Sequence, residues 1–170
     1  RFERRRVMVG SDLAAAVERA SMLYFSGGKP SRLADVLRDT PLLAAIRRAV
    51  DRGAVYAGCS AGAMVASRER DAAGRRGRAW HFGLGLVPHV SFGAHWDRAA
   101  RVPGVQWWLT SRLPDDTWFV GIDERTAVLG DGARWEVFGL RGVTLRHADA
   151  TARYTAGETF ATDLGAASGE

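Results

Sequence analysis

The sequence predicts an α/β fold, a doubly wound and mostly parallel sheet flanked by helices. Met22–Phe25 is a continuous apolar run, which is typical of a strand buried on both faces. Residues 54–57 form a second apolar run, and a segment with helix-start signals separates the two. This strand–helix–strand order implies parallel strands joined by a right-handed crossover.

Three helices are predicted before the second strand, each from its own start signal. Ser11 is an N-cap residue, which favours a helix over residues 11–20. Pro30 suits the first turn of a second helix. Thr40 is an N-cap residue followed by a proline, and the helix that it opens ends at a C′ glycine, Gly53.

The C-terminal half is predicted to be richer in strands. Pro103 interrupts a helix expected within residues 97–113, and Asp131, between two glycines, marks a β-hairpin turn. The predicted strands are residues 118–122, 126–129, 134–138 and 142–145, the last of them at a sheet edge. We expect residues 1–158 to form a single domain and residues 159–170, which are small and polar, to form a flexible tail.

Composition limits the functional classes. The chain has 170 residues, a formal net charge of +5 and a pI near 10.3. Its single cysteine excludes an intramolecular disulfide and predicts a reducing, cytoplasmic location. No run of 18 apolar residues occurs, so we expect no membrane segment. The arginine-rich charge is more typical of an exposed surface than of a nucleic-acid interface, so we do not expect nucleic acid as a partner.

The segment Gly58-Cys59-Ser60-Ala61-Gly62 fits the Gly-x-Ser-x-Gly pattern of a nucleophile elbow. A strand that turns at once into a helix holds the central residue on a strained corner, and the glycines let the two elements approach closely. Ser60 would then project above the sheet edge at a helix N-terminus, where N–H groups stabilise negative charge. The competing interpretations are a turn with a buried serine, or Cys59 as nucleophile. Because Cys59 flanks the central position, we instead expect it to be a small, buried apolar residue.

A serine nucleophile requires a base and an acid that orients the base. His95 lies between small residues and an aromatic residue, before a helix start, which favours projection into a cleft. His89 is the next candidate, ahead of His81 and His147. The candidates for the acid are Asp71, Asp97, Asp123 and Glu124, and spacing does not choose among them.

The ends of the first two strands predict where a substrate binds. Ligands of such sheets lie beyond the carboxyl ends of the strands. Gly27 and Gly28 follow the first strand, and Ser60 follows the second. If these strands are neighbours, the N–H groups of Gly28 and Ala61 can form an oxyanion hole.

Five motifs occur in the same order as in a known family. They are Phe-Ser-Gly-Gly (25–28), Gly-Cys-Ser-Ala-Gly-Ala (58–63), Gly-Leu-Gly-Leu (83–86), His-Trp-Asp-Arg (95–98) and Gly-Ile-Asp-Glu-Arg-Thr-Ala (121–127). Together they resemble peptidase family S51, which includes aspartyl dipeptidase (peptidase E) and cyanophycinase. The resemblance covers most of residues 20–145 and implies a class I glutamine-amidotransferase-like, flavodoxin-like fold.

The resemblance also implies an activity: a serine peptidase or amidohydrolase that cleaves a small peptide or isopeptide bond, such as an Asp-X or β-aspartyl bond. It implies Ser60 as nucleophile, His95 as base and Glu124 as the third member of a Ser-His-Glu triad. The oxyanion hole would consist of the Gly28 and Ala61 amides. Neither a metal nor an organic cofactor is implied, and the expected partner is a small peptide substrate.

Three departures from the family pattern affect these expectations. Lys29 stands where the family has Asp or Asn, and Gly93 stands where it has Asp; both positions lie near the substrate in the family. Lys29 and Arg98 are therefore candidates to bind a substrate carboxylate. The family's N-terminal strand, before the region that matches residues 7–9, is missing from this sequence. An unpaired sheet edge would favour a homodimer.

Two other functions compete with the hydrolase. The departures at Lys29 and Gly93 are compatible with a binding or regulatory module that keeps the fold but has lost turnover. A glutamine amidotransferase subunit is less favoured, because that class has cysteine at the position of Ser60.

Overall fold

The computed structural model describes residues 11–68, 83–111 and 113–162, and it confirms the α/β architecture. The apolar residues 7–9, which the sequence also favours as a short strand, lie outside these ranges. The described helices are α1 (Ser11–Glu18), α2 (Pro30–Leu37), α3 (Pro41–Asp51), α4 (Ala61–Val65), α5 (Trp96–Ala99) and α6 (Val105–Thr110). The described strands are β1 (Met22–Phe25), β2 (Val55–Gly58), β3 (Val90–Ala94), β4 (Trp118–Ile122), β5 (Thr126–Gly130), β6 (Arg134–Gly139), β7 (Gly142–His147), β8 (Ala150–Thr155) and β9 (Thr159–Ala161).

Local signals explain several helix ends. The Thr40 hydroxyl accepts a hydrogen bond from the Leu43 N–H at 3.2 Å, so the predicted N-cap is confirmed. Gly53 follows α3 with a φ of +96°, a conformation that glycine adopts without a steric penalty. The helix expected within residues 97–113 is divided into α5 and α6, and Gly104 lies between them with a φ of +76°.

Two pairs of parallel strands carry the part of the fold that holds the candidate site. β1 pairs with β2, and β3 pairs with β4, each in parallel. Phe25 lies opposite Gly58, and Ala94 lies opposite Ile122. The carboxyl ends of the two strands in each pair therefore lie at the same edge, and the predicted parallel connection from β1 to β2 is confirmed.

Antiparallel strands extend the sheet beyond β4. The order β3–β4–β7–β8 places β7 between two neighbours. The prediction of an edge strand at residues 142–145 is therefore wrong, because β8 pairs along the outer side of β7. Five of the six residues of β8 are exposed, so its sequence carries no apolar pattern that predicts a strand.

A separate three-stranded sheet, in the order β5–β6–β9, is antiparallel and contains the predicted hairpin. The Asp131 carboxylate accepts two backbone N–H groups across the turn, which stabilises it. The prediction of a flexible tail from residue 159 is wrong for residues 159–162, because β9 pairs with β6 and Phe160 is buried. Residues 163–170 lie outside the described ranges.

Two apolar clusters form the core. The first lies between β1 and helices α2, α3 and α4, and its buried members include Leu23, Leu37, Leu43, Ile46 and Val65. The second lies on β3, β4, β6, β7 and β9, and its buried members include Phe92, Val120, Trp135, Val143 and Phe160. The helical cluster supports the elbow, and the strand cluster supports the segments that carry His95 and Glu124.

One face of the β1–β2 pair is apolar and exposed. The register places Met22 beside Val55, and these two side chains and that of Tyr24 are 57%, 51% and 66% exposed. Leu23, on the opposite face, is buried against the helices. The homodimer expected from an unpaired sheet edge stays a prediction.

The two glycines of the elbow are required by close packing, as the sequence predicts. A Cβ on Gly58 would lie 2.6 Å from the Ala63 nitrogen, and a Cβ on Gly62 would lie 2.1 Å from the Phe25 carbonyl oxygen. The Tyr56 hydroxyl donates a hydrogen bond to the Gly62 carbonyl oxygen at 2.6 Å. Burial raises the pKa of Tyr56, so the phenol remains a donor at neutral pH. These contacts hold α4 directly against β1 and β2.

We expect Gly62→Ala to lower the free energy of unfolding by about 3 kcal/mol, because the added methyl group overlaps the β1 backbone and α4 must move away. Urea denaturation measures the change. Gly27→Ala is the matched control, since its Cβ would meet the Ser60 Cβ at an ordinary 3.5 Å. Equal stabilities of the two variants would contradict the packing argument.

Candidate active site

Ser60 occupies the corner between β2 and α4. It is the N-cap residue of α4, with a φ of +52° and a ψ of −109°, and its side chain makes no capping hydrogen bond. A positive φ is unusual for a residue that has a Cβ, so the corner is strained. Because the Ser60 hydroxyl does not cap α4, it is available to a neighbouring side chain.

His95 provides that neighbour. The Ser60 Oγ lies 3.0 Å from the His95 Nε2. His95 directly follows β3 and precedes α5, in a left-handed conformation with a φ of +55°. The next residue, Trp96, is buried against Phe119, with 4.6 Å between the ring centroids. This aromatic anchor fixes the turn that presents the imidazole.

Glu124 lies on the other side of the imidazole. The His95 Nδ1 is 3.0 Å from the Glu124 Oε1. A proton on Nδ1 that faces a carboxylate leaves Nε2 as an acceptor for the serine hydroxyl. Ser60, His95 and Glu124 therefore form a continuous hydrogen-bonded series, and about half of the His95 side chain remains exposed to solvent.

The parallel pairing explains why these three residues meet. Ala94 and Ile122 are paired, so His95 and Glu124 lie one and two residues beyond the ends of neighbouring strands. Gly27 and Ser60 likewise lie two residues beyond the paired Phe25 and Gly58. A Cβ on Gly27 would lie 3.5 Å from the Ser60 Cβ, so the glycine loop adjoins the serine.

The two predicted oxyanion-hole residues, Gly28 and Ala61, directly follow the two residues of this contact in the sequence. Ala61 is the first residue of α4, so the helix offers no carbonyl to its N–H. Gly28 follows Gly27 in the adjoining loop and precedes Lys29, the N-cap residue of α2. The Lys29 side chain is exposed beside this loop.

Arg98, a sequence candidate for substrate binding, instead contacts the candidate acid. Its Nε lies 2.8 Å from the Glu124 Oε1, the same oxygen that faces His95. Arg98 lies one helical turn after His95, and its backbone N–H donates to the His95 carbonyl oxygen at 3.0 Å. The spacing of three residues on one helix could have indicated a shared face.

Asp97, another candidate for the acid, contacts the backbone of Glu124 and not the His95 ring. Its Oδ1 accepts the Glu124 backbone N–H at 3.0 Å, and its Oδ2 pairs with Arg141. The hydrogen bond from Glu124 lowers the pKa of Asp97, and the charge of Arg141 lowers it further. Asp97 therefore holds the backbone of the Glu124 segment, a role for which the sequence offers no signal.

The other candidates lie elsewhere. His89 lies 3.8 Å from Asp116, and His147 stacks on Trp118. Asp123 is buried and pairs with Arg153. Asp71 and His81 lie outside the described residues.

Cys59 is exposed, so the prediction of a small buried hydrophobe is wrong. The hydrogen-bonded series runs through Ser60, His95 and Glu124, and no contact of the Cys59 thiol with it is found among the described residues.

Gly93 is buried in β3, and packing explains why it has no side chain. A Cβ there would lie 2.5 Å from the Phe119 ring and 3.5 Å from the Trp96 ring. The aromatic pair that anchors the His95 turn thus occupies the space that an aspartate would need.

A cavity of about 510 Å³ adjoins Asp97 and Asp123 but is lined by neither Ser60 nor His95. Its acidic groups are already paired with Arg141 and Arg153. Within the described ranges, no cluster of three or more histidine, cysteine, aspartate or glutamate side chains is suited to a metal ion. The described helices are also too short or too polar to cross a bilayer.

The chain is similar in sequence to cyanophycinases. The chain is 33% identical over 144 residues to a cyanophycinase from Trichormus variabilis, which covers 79% of this chain and 48% of the relative. It is 32% identical over 163 residues to a cyanophycinase from Geminocystis herdmanii, which covers 89% and 58%. The chain thus spans about half the length of the curated relatives it matches.

The fold has a solved counterpart. The crystal structure of a peptidase from an acI-B1 Actinobacterium superposes with a TM-score of 0.73 at 32% identity, over 88% of this chain and 63% of that chain. Residues 4–138 also match the model of peptidase family S51. Because this match runs through the elbow, the His95 turn and the Glu124 segment alike, the chain belongs to peptidase family S51.

Proposed function

We propose that this chain carries the catalytic centre of a serine peptidase that cleaves a small peptide or isopeptide bond. The observation that supports the proposal is the series from the Ser60 Oγ through the His95 ring to the Glu124 carboxylate, with both distances at 3.0 Å. This geometry supports the roles of nucleophile, base and orienting acid that acyl transfer requires.

The proposed reaction begins at the strained corner. The Ser60 Oγ attacks the scissile carbonyl carbon while its proton passes to the His95 Nε2. The Glu124 carboxylate stabilises the resulting imidazolium, which then protonates the leaving amine as the C–N bond breaks. A water molecule attacks the acyl-enzyme with His95 again as base. The oxyanion accepts the N–H groups of Gly28 and Ala61, and each such donor lowers the barrier by about 3 kcal/mol.

The proposed substrates are peptides with an Asp-X or β-aspartyl bond, the class that the resemblance to peptidase family S51 implies. Lys29 is the proposed ligand for a substrate carboxylate. It adjoins Gly28, its side chain is exposed, and no ion pair of Lys29 occurs among the described residues. Arg98 is less suited to this role, since its guanidinium already contacts Glu124.

We expect Ser60→Ala to abolish hydrolysis of Asp-X and β-aspartyl dipeptides and to abolish covalent labelling by a fluorophosphonate, because the attacking oxygen is lost. Cys59→Ala is the matched control from the same corner and should keep activity within about threefold. Mass spectrometry locates the label, and amino-acid release measures turnover.

Two outcomes of that experiment would count against the proposal. Labelling or turnover that survives in Ser60→Ala but is lost in Cys59→Ala would assign the nucleophile to the cysteine. A folded wild-type protein that binds a dipeptide without labelling or turnover would support the binding module instead.

We expect Glu124→Gln to lower kcat by about a thousandfold, because an amide can favour the wrong histidine tautomer and cannot stabilise the imidazolium. Steady-state kinetics at neutral pH measures the loss. Glu136→Gln, an exposed change of the same kind on β6, should leave kcat unchanged. If the two variants had similar kcat values, Glu124 would not be the third member of the triad.

A further inference from the structure

We propose that Arg98 is a positioning residue that holds the Glu124 carboxylate against His95. This inference rests on the proposed function, because it assigns to Arg98 a role in activating the triad. It replaces the role in substrate binding for which the sequence made this side chain a candidate.

A shared oxygen is the first observation. The Glu124 Oε1 lies 2.8 Å from the Arg98 Nε and 3.0 Å from the His95 Nδ1. A hydrogen-bonded imidazole and a charged guanidinium at one carboxylate oxygen restrict the Glu124 rotamer more than the imidazole alone does. Without Arg98, the Glu124 side chain would keep only the imidazole as a partner among the side-chain contacts described.

The second observation is that the two partners of the Glu124 carboxylate, His95 and Arg98, belong to one element, α5 and its N-cap. The Arg98 backbone N–H is bonded to the His95 carbonyl oxygen, so one helical turn sets the distance between the two side chains. Glu124 lies on a different segment, the one that follows β4. The guanidinium therefore couples the position of the acid to the same turn that presents the base.

The third observation separates the side chain of Glu124 from its backbone. Asp97, the residue before Arg98, accepts the Glu124 backbone N–H, and Arg141 pairs with the other Asp97 oxygen. The backbone of the Glu124 segment thus has its own support. Loss of the Arg98 side chain should release the carboxylate and leave the segment in place.

Solvent exposure limits the size of the effect. The Arg98 side chain is 63% exposed and that of Glu124 is 27% exposed. Exposed ion pairs are weak because water screens them. We therefore expect a change of about fivefold in the activation of Ser60, far less than the loss expected when the carboxylate itself is removed.

A reagent that needs no substrate recognition isolates this role. Diisopropyl fluorophosphate is uncharged and reacts with an activated serine: the Ser60 Oγ–P bond forms, the P–F bond breaks, fluoride leaves and the hydroxyl proton passes to His95. Its second-order rate constant measures the reactivity of Ser60 without any recognition of a substrate carboxylate. A role for Arg98 in binding a substrate carboxylate would not affect this constant, and would raise the KM of acidic dipeptides instead.

The experiment compares Arg98→Gln, Arg98→Lys and the control Arg101→Gln, an exposed arginine one turn further along. We expect Arg98→Gln to label about fivefold more slowly, Arg98→Lys to recover most of the rate through its retained charge, and Arg101→Gln to match the wild type. In a Glu124→Gln background, Arg98→Gln should have no further effect, because Arg98 acts only through the carboxylate.

Two results would overturn the inference while the proposed function stands. One is an Arg98→Gln variant that labels at the wild-type rate with a raised KM for acidic dipeptides. The other is an equal loss in the presence and absence of the Glu124 carboxylate. If the folded wild-type protein were not labelled at all, the proposed function would fail first, and the inference would fail with it.

Discussion

The candidate site depends on the parallel pairing of neighbouring strands whose ends are in register. In β3 and β4, Ala94 and Ile122 are paired, and His95 and Glu124 follow one and two residues later. A shift of two residues in this register would move Glu124 by roughly 7 Å along the strand, beyond hydrogen-bonding distance of the imidazole. Packing of the apolar cluster on these strands maintains the register, so the geometry of the site depends on the core.

The two residues that form the serine–histidine hydrogen bond both have a strained backbone. Ser60 and His95 both have a positive φ, at +52° and +55°. Such conformations cost on the order of 1 kcal/mol or more each for residues with a Cβ, and they persist only where the surroundings impose them. Gly62, pressed against β1, imposes the first, and the buried Trp96 imposes the second. Both side chains are thereby held in position before any substrate arrives.

The fold was predictable where local signals are strong. The N-cap of α3 and the Asp131 hairpin turn were found because capping and turn chemistry involve residues only a few positions apart. Strand β3 was not predicted, since its five residues include a serine and a glycine and lack a run of strong strand formers. Strands β8 and β9 were missed because exposed or very short strands carry little hydrophobic pattern.

The sequence by itself determined the strand–turn–helix corner at Ser60, because the two glycines and the small residues of α4 act within a few positions of the serine. Spacing could not rank the four candidate acids, and the family resemblance favoured Glu124; only the tertiary structure shows the Glu124 carboxylate beside the His95 ring. The histidine lies 35 positions from Ser60 and 29 from Glu124, and distances of that kind follow from strand register and packing. For the same reason the contact of Arg98 with Glu124, and the burial of Gly93 beneath two aromatic rings, appear only in the folded chain.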